Sequence, residues 1–471
     1  MHKCQILGVM TSALVWMSCS GPGPGPIPPQ PQTVTHQLCI RNFEKIVITD
    51  GDADNILERA TSVLNDRINE ACFGVALHRQ NAVSPYRDEF PRSLAAETDF
   101  DDLTEDGCVK VVERITWCGG SVPLNAAILG CAPVPGQGMV VVRTVPGQPD
   151  DFNKGVEPIT WLHEFGHTRG LPHNSLTSLA VMAPGIGPEY RHITLAECAV
   201  YKGLRTVAGA SSAAEPQGVK PLILPAQGGE SKSKRGDRQA SPGTTKGALL
   251  PVEEFVTRPF PSGLPVEQAK LYVGEQKKVE AMLLDPKFAP YRHNIIGLLG
   301  VIGTPETISL LKRVIETPVV GPPTDADIAA RLAAPLAIGT IASRFNLPEK
   351  EVDLLRKSAD PDYWLAHLAP AMVSSGNARH SLPANEQSSA SQPLDQSDID
   401  ALSRDLAIQS YRGYAISGSK EAHEKLQQDK EGTANAALPA KEQKRRLAII
   451  NEAIRMNETS REKGALEIFK Q

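Results

Sequence analysis

The run His163-Glu164-Phe165-Gly166-His167-Thr168-Arg169-Gly170-Leu171-Pro172-His173 sets three imidazoles, a carboxylate and a glycine at a spacing that suits a catalytic zinc site. On an α-helix His163 and His167 project from one face about one turn apart, so both can offer nitrogens to one tetrahedral ion. Glu164 flanks that face. A carboxylate there can take a proton from metal-bound water, whose pKa the metal lowers toward neutrality, and later pass it to a leaving amine. A straight helix cannot aim residue 173 at the same ion, so the chain must turn, and Gly170 reaches positive φ without strain. His173 then completes a three-histidine set with one position open. By composition the short motif His-Glu-x-x-His arises in on the order of one chain in a hundred of this size, and the glycine and third histidine lower that by roughly several hundredfold. Those frequencies weigh against the bland alternative, a helix with incidental surface histidines.

The long form H-E-x-x-H-x-x-G-x-x-H resembles the signature of the metzincin metallopeptidases. Leu179-Ala180-Val181-Met182-Ala183-Pro184 is similar to the methionine turn of the matrixin branch. An ordinary core methionine is the alternative for Met182. The resemblance implies one catalytic Zn2+ on His163, His167 and His173, Glu164 as general base and acid, and Met182 as a packing residue beneath the ion. It also implies a protein or peptide substrate lying extended along an antiparallel edge strand above the zinc, which the region from Gly130 to Val142 would supply. Some metzincins place a tyrosine ligand two residues after the methionine; Pro184 stands there, so no such ligand is expected.

Residues 36–205 are long enough to build a core around this site. Cys39 to Thr49 reads as an apolar strand. Asp52 or Asp54 can cap a helix whose apolar positions Ile56, Leu57, Ala60, Val63, Leu64, Ile68 and Ala71 follow helical spacing. Gly74 to His78, Val109 to Trp117 and Met139 to Thr144 read as strands. The histidine-bearing helix is expected to start near Glu157-Pro158, where proline fits the first turn. Arg191 to Cys198 reads as a closing helix, with His192 structural or solvent-facing.

Cys39, Cys72, Cys108, Cys118, Cys131 and Cys198 all fall in this region and none lies beyond it. An even set confined to one part of an exported chain reads as disulfides, with pairings that sequence cannot choose among. Free thiols or a second metal site are the alternative, and no C-x-x-C spacing favours the latter. Export is expected from the start of the chain. Residues 1–18 carry Lys3 and a short apolar run, as a signal peptide does, and residues 19–35 form a Gly/Pro-rich tether. Cys19 at that junction resembles the lipidation site of a bacterial lipoprotein. The expected location is therefore outside the cytoplasm, anchored to a membrane by lipid only, or secreted. No later segment reads as apolar enough to span a membrane.

Residues 206–264 read as a low-complexity linker with a small basic patch at Ser231-Lys232-Ser233-Lys234-Arg235. The formal net charge of -5 and the lack of aromatic residues among those bases argue against nucleic-acid binding. Residues 265–471 lack cysteine and read as helical. Asn294 to Val314 breaks at Gly303-Thr304-Pro305, Pro335 to Lys357 breaks near Asn346, and Ala407 to Gln427 breaks at Gly418-Ser419. Helix, turn, helix at a period of roughly forty residues resembles a HEAT-like solenoid, with a polar insertion near 374–397 and a charged last helix near Lys441 to Lys470. Such repeats would offer a surface for a protein partner.

The expected fold is an α+β metzincin-like zinc peptidase domain, a mixed twisted sheet plus a zinc-binding helix, followed by an all-α helical-repeat domain. The expected activity is extracytoplasmic zinc endopeptidase. The rival is a surface-anchored binding or scaffold lipoprotein using its helical repeats, with an inactive or structural zinc domain.

Overall fold

The structure is a computed structural model. It describes residues 33–204, 249–368 and 395–469, apart from gaps at 121, 127, 146–147, 175–178, 184–186, 259, 261–262 and 319–322. The signal region with Cys19, the basic patch, Pro184 and most of the stretch 374–397 lie outside the described residues.

The N-terminal region is mixed α/β. Its strands are β1 (Val34–Leu38), β2 (Ile40–Phe43), β3 (Val75–Arg79), β4 (Ser84–Tyr86), β5 (Ser93–Leu94), β6 (Val109–Val111), β7 (Arg114–Ile115), β8 (Gly130–Cys131) and β9 (Met139–Val141). Five of them form one sheet in the order β4-β2-β6-β9-β8, while β1–β3 and β5–β7 make separate pairs. Every pairing in the large sheet is parallel except β8 on β9, so β8 is an antiparallel edge strand. The central strands β6 and β9 are buried at every residue, as parallel strands covered on both faces are.

Several element boundaries differ from the sequence reading for physical reasons. The first helix, α1 (Asp50–Leu64), is capped by Thr49, whose hydroxyl accepts from Asp52 N while the Asp52 carboxylate accepts from Thr49 N. Asp52 is thus the third helical residue of a capping box, and neither Asp52 nor Asp54 is the cap. Asn65 ends the helix, and Ile68 and Ala71 fall in a separate 3-10 turn, Arg67–Cys72. The run from Val109 to Trp117 is divided because Val112 N still bonds to Val141 O, whereas Glu113 N turns to Arg92 O beside β5. Only Ile40–Phe43 of the Cys39 to Thr49 run is strand. A short helix, α2 (Glu97–Thr104), precedes β6.

The histidine-bearing helix, α3 (Asp150–Thr168), starts after Pro149, well ahead of the expected first turn at Glu157-Pro158, and carries Pro158 in its interior. Asp150 and Asp151 favour the N-terminal turn through the helix dipole, and Asn153 accepts from Val145 N at 2.8 Å, which fixes the entry. The closing helix α4 (Leu195–Tyr201) begins later than expected, at a capping box of Thr194 and Glu197.

The C-terminal region is helical: α5 (Val252–Thr257), α6 (Val266–Ala269), α7 (Gln276–Leu284), α8 (Arg292–Ile302), α9 (Thr307–Glu316), α10 (Asp325–Arg344), α11 (Asp353–Ser358), α12 (361–368), α13 (Gln396–Ile416), α14 (Lys420–Asn435) and α15 (Ala440–Lys463). The α8–α9 and α13–α14 breaks fall at Gly303 and Gly418, as their sequences suggest. α10 extends well upstream of Pro335 and encloses it. It is long and apolar enough to cross a membrane, contrary to the sequence reading, but 78 % of its apolar window is buried in the fold. α10 and α13 meet backbone to backbone at two glycines, where a Cβ on Gly339 would stand 2.0 Å from Gly413 O.

One apolar core runs through both regions, from Ile40 and Leu162 to Ile338 and Ile416. Polar contacts tie the same junction: Arg445 Nε donates to Asp99 at 2.7 Å, Arg114 Nη2 to Asp405 at 2.9 Å, and Arg412 Nη2 to Ala95 O at 2.6 Å. Asp99 and Arg412 are buried, so removing one partner would leave an uncompensated charge in low dielectric.

Candidate metal centre

From Val156 to His167 α3 is buried at every residue, so its ligand-bearing turns are held in the core. His163 and His167 stand one turn apart with ring centroids separated by 4.6 Å. The helix ends in a Schellman arrangement: Gly170, at φ 92°, donates to His167 O at 2.8 Å, and Leu171 N donates to Gly166 O at 3.0 Å. That reversal carries His173 back, and its ring centroid lies 5.3 Å from that of His163 and 4.8 Å from that of His167. One potential ligand atom from each of the three histidines lies within 4.8 Å of the others, and among the described residues no other group of His, Cys, Asp and Glu forms such a set. The expected triad is brought together.

The hydrogen bonds at the two buried histidines select their tautomers. His163 Nδ1 lies 2.6 Å from Val181 O, and His167 Nδ1 lies 2.6 Å from Leu171 O. A carbonyl can only accept, so each Nδ1 carries the proton and each Nε2 presents a lone pair. The two Nε2 atoms face one another at 3.0 Å. Two lone pairs at that distance repel unless a cation lies between them. Nitrogens bound to one tetrahedral zinc ion at ordinary distances stand roughly 3.3 Å apart, so the donor set fits such an ion. Burial also keeps the imidazoles neutral: it holds His163 well below its ordinary pKa, His167 at about 4, and His173 below the usual value.

Glu164 is 4 % exposed, and its Oε2 has no hydrogen-bond partner among the described residues. Burial alone pushes its carboxyl up to about 8. A cation beside it would draw that value back down. Its other side meets β8: a Cβ on Gly130 would stand 2.4 Å from both Glu164 Cγ and Oε1. Only a glycine lets the edge strand lie this close to the carboxylate.

Met182 is fully buried beneath α3. A Cβ on Gly166 would come within 2.5 Å of Met182 Sδ and 2.6 Å of Tyr201 Oη, so the glycine inside the histidine motif makes room for this floor. Tyr201 Oη donates to Leu162 O at 3.1 Å and touches Met182 Sδ at 3.5 Å. The turn bearing Met182 is tied to the segment after His173 by Asn174 N donating to Met182 O at 2.6 Å, and to His192 O by Val181 N at 2.8 Å. The sequence assigns no role in the site to Gly166 or Tyr201, and names Gly130 only as the start of the expected edge strand. Gly166 carried the nearest signal, since it lies within the motif, whereas Tyr201 and Gly130 reach the site only through tertiary packing.

Among the described residues three disulfides form: Cys39–Cys108, Cys72–Cys198 and Cys118–Cys131. Their Cα separations of 4.7, 4.8 and 5.7 Å are ordinary for such bonds. Each fastens a part of the centre's frame. Cys39–Cys108 joins the strands β2 and β6 at their starts, Cys72–Cys198 anchors α4 with its Tyr201, and Cys118–Cys131 closes the segment that ends in β8. Compared with known protein families and with characterised proteins, the chain matches none.

Proposed function

We propose that this protein is a zinc-dependent endopeptidase of the metzincin type, with a matrixin-like methionine turn, acting outside the cytoplasm. The observation that carries this reading is Glu164: a buried carboxylate whose Oε2 has no hydrogen-bond partner among the described residues, on the same helix as two of the three converging imidazoles. A purely structural metal site has no use for such a group, which costs stability to keep ionised.

Zinc bound here would supply a water of lowered pKa and polarise the scissile carbonyl. His163 and His167, oriented by the carbonyls of Val181 and Leu171, and His173 would hold the ion and leave a fourth position open. Glu164 would take a proton from the attacking water as its oxygen bonds to the scissile carbonyl carbon, and would pass that proton to the amine as the C–N bond breaks. β8 ends the order of the large sheet, and its outer side would take an extended peptide as an added strand beside the carboxylate. Met182 acts as packing and not as a ligand. The disulfides favour an oxidising compartment, consistent with secretion or with a lipid anchor at Cys19. The helical region would steer the enzyme or engage a protein partner, with no role in binding nucleic acid.

Glu164→Gln tests the assignment. The variant should bind as much zinc as the wild type and cleave no peptide. Wild-type protein that binds zinc and cleaves nothing would shift the reading to a surface binding protein in which the helices do the work.

A further inference from the structure

The segment from Cys118 to Cys131 touches both the metal centre and the helical region. Its own disulfide closes it, and it ends in β8 against Glu164. Midway, Asn125 is 0 % exposed and donates from Nδ2 to Oδ1 of Asn294 on α8, 3.0 Å away and 1 % exposed. The Asn294 amide is held in one sense, because its Nδ2 donates to Val256 O at 3.0 Å and to Arg258 O at 2.9 Å. Rotating it would turn its NH2 toward the NH2 of Asn125 and its oxygen toward two carbonyls.

α8 is shaped to receive this segment. A Cβ on Gly297 would stand 3.3 Å from Asn125 Cβ and 3.4 Å from Asn125 N, and one on Gly300 would stand 3.2 Å from Leu124 Cδ2. The next residue, Ala126, sits at φ 50°, a conformation unfavourable for a non-glycine residue. The surrounding structure holds it there, with Ala126 N donating to Pro123 O at 2.9 Å. The chain then joins the sheet, where Leu129 O accepts from Val142 N at 2.9 Å. A buried polar grip, a close backbone contact and a disulfide thus lead from α8 to the strand that flanks Glu164.

We propose that the helical region is a positioning element of the metal centre: Asn294, through Asn125, fixes where β8 lies against Glu164 and so sets the edge offered to a bound peptide. The claim about the peptide rests on the peptidase reading, whereas the mechanical link from α8 to β8 does not. Asn294 and Asn125 are positioning residues, since neither touches the reacting atoms.

The test uses the full chain and two variants, Asn125→Ala, which removes the grip, and Gly297→Ala, which pushes on it from the helical side. Amide hydrogen exchange is read by mass spectrometry, alongside cleavage of a fluorogenic peptide. Exchange across 128–132 should rise about tenfold in each variant while α3 and α8 keep their protection. kcat/KM should fall about tenfold, chiefly through KM, because an edge strand holds substrate and transition state alike. Unchanged exchange at β8 would overturn the proposal, as would a uniform rise across α3, α8 and β8, which marks a general loss of stability. If Asn125→Ala does not fold, Gly297→Ala decides by the same criteria. If the wild type cleaves no peptide, the peptidase reading fails and the exchange pattern still decides the link.

Discussion

A single methyl group at Gly130 is the sharpest local perturbation this site offers. The added Cβ would lie 2.4 Å from Glu164 Cγ and Oε1 and 2.6 Å from Cδ. Non-bonded carbons settle at about 3.5 Å, so either the carboxylate or the strand must yield by roughly 1 Å. The strand resists, since Cys118–Cys131 and the pairing with β9 hold it. The carboxylate yields instead: it stands on the stretch Val156 to His167, buried at every residue, and its side chain can turn about its own bonds. Gly130 is not among the glycines with positive φ, so alanine fits the backbone and the effect is steric alone. A displacement of that size at a catalytic group costs on the order of a hundredfold in rate. Gly130→Ala should therefore still fold, with a melting temperature lowered as overpacking lowers it, bind zinc as the wild type does, and lose about a hundredfold in kcat on a fluorogenic peptide. Zinc content by emission spectroscopy and steady-state kinetics check this together. A variant that retains kcat within about threefold at full zinc occupancy would refute the placement of Glu164 as the proton carrier.

Other outcomes follow from the same geometry. Gly166→Ala crowds Met182 Sδ and Tyr201 Oη, both fully buried, and overpacking of this kind should destabilise the fold by about 1–3 kcal/mol, read as a lower melting temperature; an unchanged melting temperature would contradict the packed floor. His293 is fully buried and held by burial at about 4, against an ordinary 6.5. Its folded pKa is the lower one, so as pH falls below 6.5 the unfolded chain takes the proton first and stability declines until about pH 4. His293→Leu should remove this slope, so that between pH 7 and pH 5 the wild type loses about 2 kcal/mol more than the variant in chemical denaturation. Parallel losses in the two proteins would show that His293 is not the group responsible.

What could be seen in the sequence was what depends on spacing along one helix. His163 and His167 needed only helical periodicity, and Gly170 and His173 only the geometry of a helix end. The six cysteines were legible as a set, because confinement to one region is a property of the chain; their pairing was not, because it depends on which strands lie side by side. Pro158 is a strong local signal for a first turn, so the sequence puts the start of α3 there, and the tertiary burial around it overrides that preference. Asn125 and Tyr201 give no local sign at all, and Gly130 shows only as the start of an edge strand. Each acts across a contact between elements far apart in the chain, which single-sequence periodicity does not encode. The shared core of the two regions was hidden for the same reason, since the apolar faces of α8 and α10 do not say what will cover them.

Zinc titration into metal-free protein, with cleavage of a mixed peptide library followed by the appearance of new amino termini, tests the central claim most directly. Activity should rise in proportion to zinc up to one equivalent per chain and then level off, with the bound ion on His163, His167 and His173 and no activity in Glu164→Gln at the same occupancy. One zinc bound per chain with no new amino termini would contradict the assignment of this site to peptide hydrolysis.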